Sequence, residues 1–158
     1  MSDNNITLRL IQKEDAALIF EWRNIPFIAS LGSQNRTVSW EEHLSWIEST
    51  VCNKIRKAYI IFINDEPAGQ VRFDKEELDS DLCTISVYLI EKHTGKGAGV
   101  RSILSGCELI RKEWTNIHFI QANVLKTNMN GQKAFLKAGF IHNSNANDNK
   151  HHIYIKYV

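Results

Sequence analysis

The chain has no excess of charge of either sign. Nineteen Lys and Arg against eighteen Asp and Glu leave a net charge of +1, which gives no electrostatic case for nucleic acid or a membrane surface as partner. No apolar run approaches the roughly 20 residues that span a bilayer. The opening Met1-Ser2-Asp3-Asn4-Asn5 lacks the charged and apolar regions of a signal peptide, so the expected location is cytoplasmic. There are only three cysteines, Cys52, Cys83 and Cys107, odd in number and widely spaced among apolar neighbours. They read as reduced, mostly buried thiols. The six histidines have no metal-ligand spacing, and no metal is expected. Linkers, repeats and low-complexity tracts are also lacking. What remains is 158 residues, 43% hydrophobic and 23% charged, the composition of one soluble domain with one sizeable core.

Against that even background one stretch stands out. Thr94-Gly95-Lys96-Gly97-Ala98-Gly99 lies between an apolar strand and an amphipathic helix. Alternate glycines let the backbone come very close to a ligand and expose successive N–H groups. The start of the following helix adds about half a positive charge. Together they form a cradle for a pyrophosphate. No Gly-Lys-Ser/Thr ending follows, so the run is not a Walker loop, and its glycine spacing is not G-x-G-x-x-G.

Hydrophobic periodicity orders the rest. Residues 6–11, 58–63, 68–74, 82–90, 117–124 and 152–158 read as strands, with a further strand beginning at Phe140-Ile141. Residues 14–24, a segment capped by Ser39 with Glu42 three residues on, 99–114 and 128–138 read as helices. Pro26 marks a break, and residues 27–36 read as a loop. Asn64-Asp65-Glu66 closes a hairpin. The strand-helix-strand unit around the glycine run argues for a mixed α/β sheet.

The glycine run resembles the acyl-coenzyme-A loop of the GNAT acetyltransferases, with Thr94 where that family usually has Arg or Gln. Asn128-Met129-Asn130-Gly131-Gln132-Lys133-Ala134-Phe135-Leu136-Lys137-Ala138-Gly139-Phe140 resembles the family's second hallmark, N-x-x-A-x-x-x-Y-x-x-x-G-F. The element order from Ile6 to Val158 matches as well. The resemblance implies an α/β GNAT fold in a single domain over residues 1–158. The central mixed sheet should have about six to seven strands, splayed at strand 4, with about four helices.

It also implies an acyl-CoA N-acyltransferase that moves an acetyl group from acetyl-CoA to a primary amine. The stretch Val87, Tyr88 and Leu89 would run beside the pantetheine arm, with peptide groups of Val87 and Leu89 hydrogen-bonding it. N–H groups of Gly95, Lys96, Gly97, Ala98, Gly99 and Val100 would hold the pyrophosphate, and Lys96 offers a point charge. Asn128 would bond the pantetheine, and Lys133 would lie near the phosphates. The N–H of Leu89 is the candidate for polarising the thioester carbonyl.

A narrower resemblance lies in Glu21-Trp22-Arg23-Asn24 and Trp40-Glu41-Glu42-His43-Leu44. These are similar to the GNATs that acetylate a nucleotide-linked 4-amino sugar in pseudaminic-type nonulosonic acid biosynthesis. Trp22, Arg23, Asn24 and Trp46 are then acceptor candidates, for stacking and for gripping a diphosphate. The partner would be a small-molecule amine, a nucleotide sugar, and a homodimer is allowed. Trp-Arg-Asn also occurs in GNATs of the ribosomal-protein N-terminal type, so a peptide acceptor stays open. So does core packing for the tryptophans.

Departures from the family pattern concern proton transfer. The usual Tyr of the second motif is Phe135, which has no proton to give. Positions of the usual base correspond to Cys83 and Asn123. His43 and Glu91 remain as groups toward which ordered water could drain the amine proton. These gaps keep open a CoA-binding GNAT with little catalytic activity.

Overall fold

The computed structural model describes residues 5–31 and 37–158. Seven strands form one sheet: β1 (Ile6–Leu10), β2 (Arg56–Ile63), β3 (Glu66–Asp74), β4 (Leu82–Leu89), β5 (Phe119–Leu125), β6 (Ile141–His142) and β7 (His151–Tyr157). Their order is β1-β2-β3-β4-β5-β7-β6. Every neighbouring pair is antiparallel except β4 and β5, which run parallel. The β2–β3 hairpin turns on Asn64 and Asp65, at φ 51° and 67°. Two left-handed residues match the twist of the flanking strands, and Asn and Asp tolerate that conformation best after glycine.

Five helices cover the sheet: α1 (Ala16–Arg23), α2 (Pro26–Ala29), α3 (Trp40–Val51), α4 (Ala98–Glu113) and α5 (Met129–Lys137). α2 corrects the loop expected after Pro26. A proline at a helix start gives up an N–H that would be unbonded anyway, so it opens a turn as readily as it breaks one. The remainder of that expected loop, Gly32 to Arg36, lies outside the described residues, as does the terminal Met1–Asn4. α3 starts where expected, with Ser39 Oγ accepting from the Glu42 N–H at 3.2 Å. α5 ends at Gly139, φ 92°, a left-handed C-terminal residue. Among the described residues no helix is long and apolar enough to cross a membrane.

Alternation along the strands divides the interior in two. Tyr59, Ile61, Val71, Phe73, Cys83, Ile85, Ile120 and Ala122 meet α4 and α5 on one face. Ala58 and Ile60 meet Ile19, Trp22 and Ile47 of α1 and α3 on the other. Cys83 and Cys107 are buried, whereas Cys52, at the end of α3, is exposed. Burial pushes the Cys83 thiol up to about 12 and the Cys107 thiol up to about 11.

Candidate active site

Parallel pairing of β4 with β5 stops at Ile85 opposite Ala122. β4 stays paired with β3 as far as Leu89 opposite Gly69. β5 stays paired with β7 as far as Leu125 opposite His151. Residues 86–89 therefore border a gap between the two halves of the sheet. Peptide groups alternate along a strand, which sets what faces that gap. The Ile90 N–H donates to the Ala68 carbonyl at 2.8 Å, and the Tyr88 carbonyl lies against Gly69. Both are directed toward β3, so the peptide groups of Val87 and Leu89 are directed into the gap. Tyr88 differs from its neighbours in side chain too. Its ring packs against the α1–α3 core, and its hydroxyl donates to Gln70 Oε1 at 2.9 Å. Neither the ring nor the hydroxyl of Tyr88 faces the gap.

Past β4 the chain makes a short 3-10 turn, Glu91–His93. Thr94 closes it, with its N–H at 3.1 Å and its Oγ1 at 2.7 Å from the Glu91 carbonyl. Threonine thus has a local task at the position where related loops carry Arg or Gln. Lys92 pairs with Glu66 at the start of β3, tying the turn to the hairpin.

Gly95 and Gly97 follow at φ 73° and 80°. A Cβ on either would meet nothing within 4 Å, so both project into open space. Gly97 is the N-cap of α4 and has no side chain with which to cap it. The Arg101 N–H reaches the Gly97 carbonyl at 3.3 Å. The N–H groups of Ala98, Gly99 and Val100, before it, have no intrahelical acceptor. A Cβ on Gly99 would lie 4.0 Å from both Leu89 Cδ1 and Ala134 Cβ. The loop, the end of β4 and α5 therefore converge. Lys96 and Lys133 are exposed.

Asn128 caps α5, its Oδ1 accepting from the Gly131 N–H at 3.0 Å. A Cβ on Gly131 would sit 2.6 Å from Asn128 Nδ2, so an alanine there, as in the hallmark, would shift the Asn128 amide. Phe135 is 4% exposed and packs edge-to-face on Phe140 with centroids 5.0 Å apart.

The opposite face of β3 and β4 carries a second cluster. A cavity of about 90 Å³ is lined by Arg23, Trp46, Gln70, Arg72, Ser86 and Tyr88. The Arg23 guanidinium lies 5.1 Å from the Trp46 ring and that of Arg56 lies 6.0 Å from it. Asp74 accepts from Arg56 Nε at 2.5 Å and from Arg72 Nε at 2.7 Å. Arg56 and Arg72 thus share one carboxylate, and the Arg23 guanidinium lies against the same indole as Arg56. Only Arg23 and Trp46 were expected here. Gln70, Arg72 and Asp74 carry a signal of their own in sequence, as polar residues at alternate positions of an inner strand whose other face is buried.

Several candidates stand elsewhere. Trp22 is 4% exposed, its ring edge-on to Tyr88 at 6.2 Å, and it is core. Asn24 exchanges two hydrogen bonds with the backbone of Val38, at 2.8 and 3.2 Å, fixing the approach to α3. His43 is fully buried, with Nε2 2.7 Å from the Ala16 carbonyl and Nδ1 3.1 Å from Arg23 Nη1. Desolvation lowers its pKa, the Ala16 bond opposes this, and Arg23 lowers it further. With both ring nitrogens engaged, His43 has none open to a substrate proton. Glu91 is exposed on the turn after β4. Asn123 is on β5, accepting from Gln121 Nε2 at 2.9 Å. Among the described residues no group of three His, Cys, Asp or Glu could hold a metal ion.

The sequence profile of the acetyltransferase (GNAT) domain matches residues 5–141, and the chain belongs to that family. It is 25% identical over 152 residues to an aminoglycoside N(6')-acetyltransferase type 1 of Klebsiella pneumoniae, covering 88% of this chain and 75% of that one. It is 22% identical over 130 residues to the acetyltransferase PseH of Campylobacter jejuni, covering 82% and 79%. Among solved structures, aminoglycoside acetyltransferase AAC(6')-Ib in complex with coenzyme A superposes with a TM-score of 0.82 at 21% identity, over 97% of this chain and 95% of that one. The protein is thus a GNAT acetyltransferase, and acetyl-CoA is the co-substrate of GNAT enzymes.

Proposed function

We propose that this chain transfers the acetyl group of acetyl-CoA to the primary amine of a small anionic acceptor, a nucleotide-linked amino sugar. The observation that carries the acceptor class is the basic cleft of Arg23, Arg56 and Arg72 around Trp46. Guanidinium groups suit a diphosphate, which they bind through paired N–H donors. The half-buried Trp46 indole holds two of those guanidiniums against it by cation–π contact. An aminoglycoside carries several ammonium groups and would meet like charge here.

The cofactor side of the reading rests on backbone. N–H groups of residues 95–100 would take the pyrophosphate at the start of α4, with Lys96 and Lys133 placed for phosphate charge. Peptide groups of Val87 and Leu89 would extend β4 along the pantetheine. Asn128, whose Oδ1 caps α5, would reach the arm through its amide nitrogen.

In the transfer, the nitrogen of the neutral amine bonds to the acetyl carbon and the carbon–sulfur bond breaks. The N–H of Leu89 would stabilise the charge that develops on the carbonyl oxygen. The sulfur leaves as thiolate, which at an ordinary thiol pKa of about 8.5 needs little help. The amine proton passes to water, with Glu91 on the turn after β4 and Asn123 on β5 as polar groups that water could bridge to.

A thiol-release assay tests the reading. The panel is nucleotide-linked amino sugars, free amino sugars, an aminoglycoside and short peptides. The highest kcat/KM is expected for a nucleotide-linked sugar. Preference for the aminoglycoside or for peptides would overturn the acceptor class.

A further inference from the structure

The surroundings of His43 give it a task. The imidazole is enclosed by Phe20, Trp40 and Trp46, with ring centroids 5.4, 5.8 and 6.2 Å away. Nε2 lies 2.7 Å from the Ala16 carbonyl. A carbonyl oxygen only accepts, so Nε2 carries the proton. Arginine only donates, so Nδ1, 3.1 Å from Arg23 Nη1, is bare. The two contacts require the same tautomer, and each enforces it for the other. The ring of His43 also lies nearly parallel to that of Trp46, at 20°, and the Arg23 guanidinium covers Trp46 at 5.1 Å.

We infer that His43 is a positioning residue: its bare Nδ1 holds Arg23 over Trp46, at the edge of the basic cleft, and thereby sets acceptor affinity. Ordering an arginine costs rotamer entropy. An acceptor that had to order Arg23 itself would bear that cost, whereas His43 has the side chain in place beforehand. Two charged groups near this stack have partners of their own. Asp15, beneath α1, is bound by Arg9 at 2.9 and 3.0 Å. Arg56, beyond Trp46, is bound by Asp74.

This inference rests on the reading of the cleft as the acceptor site, and two near-isosteric variants separate the two. His43→Gln places an amide near Nε2, keeping a donor for Ala16 and removing the acceptor for Arg23. His43→Asn places an amide oxygen near Nδ1, keeping the acceptor for Arg23 and losing the Ala16 bond. With the acceptor found in the panel above, His43→Gln should raise its KM about tenfold, the size expected for one charge-assisted hydrogen bond. KM for acetyl-CoA should not change. His43→Asn should stay within about twofold of the native acceptor KM even with a lower Tm. Equal effects of the two variants on acceptor KM, or parallel changes in both KM values, would overturn the inference.

Nitrogen-15 NMR of the His43 ring and the Arg23 guanidinium reads the lock without any acceptor. A bare Nδ1 is expected, with Arg23 N–H signals that persist in His43→Asn and exchange away in His43→Gln. If these hold while no anionic acceptor reacts, the cleft reading fails and the lock stands. A protonated Nδ1, or Arg23 signals indifferent to both variants, would refute the lock itself.

Discussion

The two faces of β3 and β4 are built from different material. On the α4 side the candidate ligand groups are main chain: N–H groups after Gly95, and the peptide groups of Val87 and Leu89. On the α1–α3 side they are side chains: Arg23, Trp46, Arg56 and Arg72. A main-chain site needs only a backbone path, so glycines and a helix start announce it. A side-chain site needs residues from four elements brought together, and no local spacing announces that. The first kind suits a ligand common to a whole family, and the second can change its acceptor by changing side chains.

The sharpest break of this comparison is Gly97→Glu. The new side chain would enter the open space above the loop with a negative charge and a strained φ. Wild type at about 100 times Kd of acetyl-CoA should gain about 2.7 kcal/mol of stability, a rise in Tm of several degrees. The variant should gain none, and an unchanged shift would disprove the loop as the cradle.

Arg23→Ala is next in size. Losing a charged donor costs about 1.5–3 kcal/mol, so acceptor KM should rise roughly ten- to a hundredfold. The acetyl-CoA thermal shift should be retained. Loss of both in equal measure would make Arg23 a structural residue and erase the division between faces.

Acid should act on the side-chain face through His43. Its pKa is lowered in the folded protein, first by desolvation. The unfolded chain then binds the proton more readily, so this stability is fully present above about pH 6.5 and is lost as pH falls through the lower folded value. The denaturant midpoint should drop as pH falls below about 6.5 in wild type, and less in His43→Gln. An equal drop in both would place the acid-sensitive group elsewhere.

Phe135→Tyr should have the smallest effect. The ring is enclosed with Phe140, and a hydroxyl left without a partner there costs about 1–3 kcal/mol. Turnover should stay within about threefold or rise, since general acid catalysis can add to the rate. A large fall in kcat at unchanged Tm would mean that the ring itself positions a substrate.

How much was legible follows from the same division. The glycine loop, the Ser39 cap, the α5 hallmark and the succession of elements along the chain could be read because each depends on residues adjacent in sequence. Trp22 and Asn24 were read as acceptor contacts but are bound inward, to the core and to Val38. Helical spacing puts Trp22 and Arg23 on neighbouring faces and does not say which face meets the sheet. His43 was read as a proton acceptor because a histidine near a site is a natural base. Its partners, Ala16 and Arg23, lie 27 and 20 residues away, and only their approach fills both nitrogens.

The sequence by itself determined the backbone path: where a helix begins, where left-handed turns occur, and so where amide groups lie exposed for an anion. Those features depend on local torsional preferences and hydrogen bonds between near neighbours. Only the tertiary structure decided which side chains share the other face, because that depends on strand register and helix docking between distant segments. It placed Arg56 and Arg72 on Asp74, enclosed His43 among aromatic rings, and stopped the pairing of β4 and β5 at Ile85.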